Sequence, residues 1–333
     1  MSTVINATTQ DTDVLPERIK HFPFPFSGDS YRYSANVEPS RKVVTTDAGA
    51  WGGQLIHIDE HYLVDLKDRD EALDRDPSRL QVLPHMRPAV WDAISTLLPA
   101  MAEEHPDTMS FGREGNLCRW RNSLQDLDVT FTVGDDSSLP MGPLRFLGSQ
   151  LQDDLVFLDH RQDALWLDAG VVTFAADWSI GFDVGMKFME VHHPVPRVTE
   201  EKIASRAEQF LMRLQPGEQY RRTNWTLTID RRLDTSTETY PNWAHDRTTI
   251  ANDPALPDRL HLRVEIQHMI RLPHSGAVLF MIRSYLLPLR DIARVPVWRE
   301  NMGHVLAELP EDMAEYKGIS HYRKAASEWL LAN

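Results

Sequence analysis

Polar and apolar positions along the chain predict an antiparallel sheet flanked by helices. Strand-like alternation occupies three segments late in the chain: 221–230, 260–270 and 277–287. The sequence RLPHSG joins the last two as a hairpin-type connection. Helical periodicity occupies 86–105, 142–158, 199–214 and the stretch after Pro288. Helices beside hairpin-linked strands favour an α+β fold over a βαβ fold.

Several shorter patterns carry local predictions. Residues 163–178 are expected to form a β-hairpin that turns near 168–170. The helix at 199–214 is expected to use Thr199 as its N-cap. The stretch 54–66 resembles a strand leading into a turn, and the charged run 68–79 a solvated helix and turn.

The N-terminal segment has a different character. In HFPFPFSGDSYRY (21–33), aromatic residues alternate with Pro, Gly and Ser, a composition suited to lying over a surface rather than forming a helix or strand. We therefore expect an extended arm at 1–46 and a single α+β domain at 47–333.

The alternation also assigns side chains to the two faces of each strand. One face of the first strand carries Arg222, Asn224 and Thr226, and one face of the second carries Glu265 and Gln267. Two interpretations remain open. Either this polar face is solvated, as is common in antiparallel sheets, or Arg222 and Glu265 point into a pocket.

The sequence MEVHHPVP (189–196) places two histidines before a Pro-Val-Pro segment. The residue before a proline favours extended geometry, so His192 and His193 should point to opposite sides, and at most one should face an interior site. Such a histidine is either a hydrogen-bonded structural residue or a ligand. As a ligand it suits haem, which needs one axial side chain, better than zinc, which needs three or four protein ligands.

Composition narrows the possible functions. The 35 basic and 49 acidic residues give a net charge of −14, which argues against a nucleic-acid partner. No stretch approaches the roughly 18 consecutive apolar residues of a membrane span. The first 20 residues lack the apolar core of a signal peptide, so we expect no membrane association and a cytoplasmic location.

Cysteine usage and motif content limit the redox chemistry of this chain. Cys118 is the only cysteine, so the chain cannot form an internal disulfide or provide the usual four ligands of an iron–sulfur centre. It also contains no dinucleotide-binding or P-loop glycine motif. Any redox reaction here must therefore draw its electrons from another polypeptide.

His57 and His61 have the spacing of a helical metal pair, but structural roles are expected for both.

Three motifs in this order resemble the haem-dependent oxidative N-demethylase α-subunit family: H-x-P-V-P, R-x-N-W and L-R-V-E followed by L-P-x-S-G-A. The resemblance runs from about residue 23 to the C-terminal helices. It implies a PAS-like antiparallel sheet that binds haem b non-covalently. It also makes His192 the proximal iron ligand and places Arg222 and Glu265 as catalytic residues on the distal, oxygen-binding side.

The same resemblance implies a monooxygenase-type reaction in which dimethylamine or a related N-methyl amine reacts with O₂. The products would be methylamine and formaldehyde. NADPH, FMN and a 2Fe-2S centre are then expected on partner reductase subunits, with a folate-binding subunit to take up formaldehyde. Within this scheme Glu265 either binds the amine or relays protons.

Two other classes of protein remain as alternatives. A haem-binding PAS-type protein without turnover would sense O₂ or redox state, although the sequence contains no kinase or helix-turn-helix output. A haem-free metal-dependent hydrolase would use His192 or His193 with carboxylates, although no H-E-x-x-H spacing occurs.

Overall fold

A computed structural model describes residues 15–332. Its strands are β1 (Glu38–Pro39), β2 (Val43–Thr45), β3 (Ala50–Gly52), β4 (Leu80–Val82), β5 (Met109–Glu114), β6 (Leu117–Asn122), β7 (Leu127–Thr132), β8 (Asp154–Arg161), β9 (Ala164–Val171), β10 (Gln219–Ile229), β11 (Leu260–Arg271) and β12 (Val278–Pro288). Its helices are α1 (Glu17–Lys20), α2 (Tyr62–Arg75), α3 (Arg87–Glu104), α4 (Pro143–Gly148), α5 (Ile180–Asp183), α6 (Phe188–Val191), α7 (Ile203–Arg213), α8 (Tyr240–Trp243), α9 (Asp246–Thr249), α10 (Leu256–Arg259), α11 (Leu289–Ile292), α12 (Pro296–Glu308), α13 (Glu311–Tyr316) and α14 (Arg323–Ala332). The mixture of helices with antiparallel strands confirms the α+β prediction.

Among the described residues, the largest sheet has seven strands in the order β1-β10-β11-β12-β8-β9-β4, and every neighbouring pair is antiparallel. Strands β5, β6 and β7 form a separate antiparallel sheet, and β2 pairs with β3. The three late strands therefore form where the alternation predicts them, and they lie next to one another in the large sheet.

The register between β10 and β11 brings their polar residues to the same face. Asn224 lies opposite Glu265, and Arg222 lies opposite Gln267. Residues directly opposite in an antiparallel pair project to the same side of the sheet. The opposite face is largely apolar at this end, where Leu262 and Val264 belong to a core that also contains Trp298 of α12.

The N-terminal segment lies over this second face. Residues 21–33 form no helix or strand, as predicted. Phe22 and Phe24 are nevertheless buried, and the Phe24 ring stacks on Trp298 with 4.5 Å between centroids. Apolar burial thus holds this stretch in place without regular structure. Residues 1–14 of the predicted arm lie outside the described residues, and the boundary at 46/47 stays a prediction.

The prediction of one helix at 142–158 is wrong in its second half. Helix α4 ends at Gly148, and β8 begins at Asp154. The first five residues of β8 are all buried, so its apolar run lacks the period-two signature of a half-exposed strand. A continuous apolar run fits either type of element, and here neighbouring strands decide in favour of the strand.

The prediction of a hairpin within 163–178 that turns near 168–170 is wrong, because Ala164–Val171 form one continuous strand, β9. The hairpin in the structure pairs β9 with the preceding strand β8, and its turn lies at Gln162 and Asp163, which have φ values of 53° and 56°, as a tight hairpin turn requires. Asp168 is instead fully buried within β9, where its carboxylate accepts a hydrogen bond from His85 Nε2 at 2.8 Å. At Gly170 an added Cβ would lie 2.8 Å from the Leu155 carbonyl oxygen, so close strand packing explains this glycine.

Two further boundaries differ from prediction. Helix α7 begins at Ile203, because Lys202 adopts a left-handed conformation and Thr199 does not cap the helix. The stretch 54–66 contains no strand, since Asp59 accepts a hydrogen bond from the His61 amide at 2.9 Å in a turn before α2. The helix predicted at 86–105 is confirmed as α3. The helix and turn predicted at 68–79 are confirmed as part of α2 and the 3₁₀ turn that follows it.

Within residues 15–332, no helix combines the length and apolar character that crossing a membrane requires.

Candidate functional site

A cavity of about 730 Å³ lies against the polar face of β10 and β11. It is closed by α6 and α7, by residues 31–37 of the N-terminal segment and by the end of α13. His192, Arg222 and Glu265 all line it, so the structure brings the three residues singled out from the sequence into one cavity. The polar face is thus covered rather than fully solvated.

His192 terminates α6 with its imidazole inside the cavity. Its Nδ1 donates to the Phe188 carbonyl oxygen at 2.8 Å, and the two rings lie 4.1 Å apart between centroids. This hydrogen bond orients the ring and leaves the Nε2 lone pair available to a metal. Burial lowers the pKa of His192 to about 4, so the imidazole is neutral at neutral pH, as ligation requires.

His193 is exposed to solvent, so the two histidines do point to different sides, as predicted. The local geometry differs from the expected extended chain. His192 has helical dihedral angles, and the His193 amide bonds to the Glu190 carbonyl in a turn that follows α6. A helical turn separates neighbouring side chains by about 100°, which is enough to bury one and expose the other.

Arg222 is a half-buried cation without a protein partner among the described residues. Among the described residues, its guanidinium forms no hydrogen bond or ion pair, and its Nε is both inaccessible to solvent and unsatisfied. Burial lowers the pKa of Arg222 from its usual value, while the nearby Glu265 carboxylate opposes that change. A cation kept partly out of water without a partner is costly, so the Arg222 guanidinium can pair favourably with negative charge inside the cavity.

Glu265 has the opposite character, because several donors hold its carboxylate in place. Arg263 Nε donates to Oε1 at 3.1 Å, while Asn224 and Gln267 donate to Oε2 at 3.3 and 3.1 Å. Arg263 is itself anchored to the carbonyl oxygens of Leu233 and Phe174. The carboxylate is therefore a fixed acceptor with a free lone-pair position for one further donor.

Alternation placed Asn224 and Gln267 on the polar face with Arg222 and Glu265, but the sequence assigned them no role. Another polar residue of this cavity was missed altogether. Lys317 carries no motif, and only the folded chain places it here. Its Nζ donates to the Trp225 carbonyl at 2.6 Å and lies 4.7 Å from the Trp225 ring centroid, and burial lowers its pKa to about 8.

The remaining walls are mostly apolar. They come from β8 and β9, α7 and β12 and include Val156, Leu158, Leu167, Phe210, Phe280 and Ile282. A cavity of this size, with apolar walls and a few convergent polar groups, has the character of a cofactor site. Haem fits this donor set, because the porphyrin needs apolar packing and the protein need supply one imidazole nitrogen.

The described residues provide no ligand set for a metal-dependent hydrolase at His192 or His193. The group of side chains between residues 15 and 332 that could hold a bare metal ion is His85, Asp159 and Asp168. Arg161 donates to both of these carboxylates and so places a cation at the position that a metal ion would need. His57 lies on the other face of the large sheet, and its Nδ1 is 3.2 Å from the Tyr285 hydroxyl oxygen.

Comparison with known protein families identifies the family to which this chain belongs. Residues 49–327 match the family described as haem-dependent oxidative N-demethylase, alpha subunit-like. The match spans well over half of the 333 residues. The description implies dependence on haem, an oxidoreductase reaction and a subunit of a larger enzyme. The chain belongs to the haem-dependent oxidative N-demethylase, alpha subunit-like family.

Proposed function

We propose that this chain is the catalytic subunit of an enzyme that oxidatively demethylates dimethylamine or a related N-methyl amine. With dimethylamine, the reaction consumes O₂, two electrons and two protons and yields methylamine, formaldehyde and water. The main support is the convergence on one cavity of a neutral imidazole with a free Nε2, an unpartnered arginine and a fixed carboxylate. Haem b, when bound through His192, supplies the activation of O₂.

In this proposal Arg222 and Glu265 have different electrostatic roles. Arg222 remains protonated at working pH and has no competing protein partner, so it is free to stabilise negative charge that develops on oxygen. Glu265 offers a fixed acceptor to the N–H of an alkylammonium ion. Because its hydrogen bonds in the structure are all accepted ones, we favour amine binding over proton relay for Glu265.

The electrons must come from partner subunits. Cys118, the single cysteine, is buried, and the chain contains no motif for flavin, nicotinamide or an iron–sulfur centre. We propose that reductase subunits with NADPH, FMN and a 2Fe-2S centre supply the electrons. A folate-binding subunit would take up the formaldehyde. We also propose that the β10-β11-β12-β8-β9 part of the sheet is a PAS-like haem-binding sheet, which is supported by its antiparallel order and by the cavity on one face.

The haem-loaded chain is expected to release formaldehyde from dimethylamine when a chemical reductant is added under air. NADPH alone should support no turnover, because the sequence contains no motif for nicotinamide or flavin binding. Formaldehyde is measured by derivatisation, with a reaction without dimethylamine and a reaction with the haem-free chain as blanks. NADPH-driven turnover by the purified chain would contradict the proposal that partner subunits supply the electrons. Haem and O₂ binding without any formaldehyde would instead support the sensor alternative.

Replacing Glu265 by glutamine is expected to raise KM for the amine by roughly 10- to 100-fold, with a smaller change in kcat. A charge-assisted hydrogen bond contributes about 1.5–3 kcal/mol, and the amide keeps the shape but loses the charge. Steady-state kinetics over a range of amine concentrations measures the effect, and Glu315→Gln, an exposed change near the same cavity, is the matched control. A loss confined to kcat would favour proton relay by Glu265.

A further inference from the structure

Asp183 is a further carboxylate of the cavity that contains His192, and the function proposed above gives it no role. It ends α5, is 9% exposed and lines the cavity. Within residues 15–332, its carboxylate accepts no hydrogen bond and forms no ion pair. Native proteins pair most buried polar groups, so a mostly buried carboxylate without a partner at a cavity points to a ligand.

A ligand in the cavity can reach the Asp183 carboxylate. Some unpaired side-chain atoms of this fold, such as Asp168 Oδ1, have almost no accessible surface and so cannot contact a ligand. The carboxylate oxygens of Asp183 are not among these sealed atoms. They retain accessible surface, and Asp183 is part of the cavity wall.

Other carboxylates of the same cavity already have a cation beside them. Arg263 Nε lies 3.1 Å from Glu265 Oε1, and Arg247 Nη2 lies 2.7 Å from Asp177 Oδ2. No described cation pairs with Asp183 in this way. Asp183 is therefore a mostly buried carboxylate whose charge the protein leaves unbalanced, and a cation in the cavity can balance it.

The surroundings of Asp183 are negative rather than positive. Burial and the nearby Glu238 carboxylate raise the pKa of Asp183 to about 6, so it is ionised at pH 8. Glu238 accepts a hydrogen bond from the Ser179 hydroxyl at the start of α5. Neither Glu265 nor Arg222 contributes to the pKa shift of Asp183, so this end of the cavity is electrostatically separate from theirs.

Trp178 supplies an aromatic ring beside this carboxylate. The Asp183 amide donates to the Ser179 carbonyl oxygen at 3.1 Å, so Asp183 lies one helical turn from the residue that follows Trp178. Trp178 lines the same cavity. Trp225, another tryptophan of the lining, has Lys317 over its ring at 4.7 Å, whereas no described cation occupies the ring of Trp178. The ring of Trp178 is therefore open to a cation from outside the chain.

An unpaired carboxylate next to an open indole ring is suited to an alkylammonium ion. The carboxylate attracts the charge, and the ring attracts both the charge and the methyl groups that carry part of it. A bare metal ion needs several protein ligands. The group of described side chains that could supply such a set is His85, Asp159 and Asp168, and it does not include Asp183.

We propose that Asp183 and Trp178 form a separate subsite that holds the alkylammonium substrate before it reaches Glu265. Phe182, which precedes Asp183, is 72% exposed, so α5 lies at the protein surface and the subsite lies near the entrance of the cavity. No bond is made or broken there. The proposal rests on the function proposed above, because that function identifies the cation as an N-methyl amine.

The test is isothermal titration of the haem-loaded chain with tetramethylammonium chloride at pH 8 and constant ionic strength. This ion has no N–H group, so it needs no hydrogen-bond acceptor. Wild type should bind it, and dimethylammonium should compete. Asp183→Asn should weaken binding by at least about tenfold, and Trp178→Leu by roughly 3- to 30-fold. Asp163→Asn, at an exposed carboxylate in the β8–β9 turn, is the matched control and should bind as wild type does.

Kinetics distinguishes this subsite from the position of the reaction. Asp183→Asn should lower kcat/KM for dimethylamine by about the factor measured for tetramethylammonium, with kcat within about twofold of wild type, because the subsite acts before the reaction. Glu265→Gln should leave the affinity for tetramethylammonium unchanged, since Arg263 already pairs with the Glu265 carboxylate.

Circular dichroism and the haem spectrum of each variant establish that it has folded. Unchanged tetramethylammonium affinity in Asp183→Asn or in Trp178→Leu would overturn the proposal, as would the absence of binding to wild type, which would show a water-filled subsite. Binding that is lost in Glu265→Gln and kept in Asp183→Asn would place the cation at Glu265 and would also overturn it. Binding that requires Asp183, in a chain that releases no formaldehyde, would support the cation site and contradict the proposed function.

Discussion

Substitution of His192 by alanine is expected to lower haem affinity by more than about 100-fold and to remove histidine ligation from whatever haem remains. Loss of a residue that merely supports a metal ligand costs 10- to 100-fold in affinity, so loss of the ligand itself should cost more. The prediction depends on the Nδ1 hydrogen bond to Phe188, which leaves Nε2 as the free nitrogen inside the cavity.

His193→Ala is the matched control, because it removes a neighbouring imidazole that is exposed to solvent. Its absorption spectrum and haem titration should be the same as those of wild type. The spectra of the two variants, recorded at equal haem and protein concentrations, therefore separate the two assignments. Loss of ligation in His193→Ala, with normal ligation in His192→Ala, would reverse them.

Replacing Arg222 by methionine is expected to lower kcat for demethylation by roughly 100- to 1,000-fold, the usual consequence of removing a group that stabilises developing negative charge. The same change should stabilise the haem-free chain by about 1 kcal/mol or more. Arg222 is half-buried, its Nε is inaccessible to solvent and no described residue pairs with it, so a side chain of similar volume without charge avoids the cost of keeping this cation partly out of water.

The combination of these two effects is diagnostic, because a structural arginine would lose stability on the same substitution. Urea denaturation of the haem-free chain measures the free energy of unfolding, and formaldehyde release measures kcat. Arg213→Met, at an exposed arginine that ends α7, should leave both unchanged. A destabilised Arg222→Met chain would mean that the guanidinium supports the fold instead of the reaction.

The two arginines at successive positions of β10 show how differently one residue type is used on the two faces of a sheet. Arg221 is paired with Glu38 and with the carbonyl oxygens of Ser40 and Lys42, and it closes the N-terminal segment against β10. Arg222, its neighbour, has no such partner. Natural proteins keep unsatisfied charge where function requires it, and stability is supplied elsewhere in the fold.

The strands and their faces were predictable from the sequence. Alternation at 221–230 and 260–270 identified β10 and β11 and correctly grouped Arg222 with Asn224 and Glu265 with Gln267. A period of two is a local geometric property of extended chain, so it can be read without knowledge of the rest of the fold. The resemblance of the three motifs to the demethylase α-subunit family is confirmed by the match over residues 49–327.

Predictions from local sequence patterns were wrong where a strand is buried on both faces and where one turn sets the position of a hairpin. Strand β8 is apolar on both faces, so its sequence could not be distinguished from the end of a helix. The hairpin turn at Gln162 and Asp163 contains no glycine or asparagine to mark its positive φ values, while Asp168 and Gly170 resemble turn residues but are buried in β9.

Alternation alone determined which side chains share a face, and composition alone excluded an internal electron-transfer centre with cysteine ligands. Only the tertiary structure decided that the polar face is covered, that the guanidinium of Arg222 has no partner among the described residues and that Lys317 joins the same cavity. It also revealed a smaller cavity on the opposite face of the sheet, lined by Arg221, His268 and Arg283. The physical reason is that burial and hydrogen-bond pairing depend on segments far apart in the chain, whereas periodicity reports the local backbone.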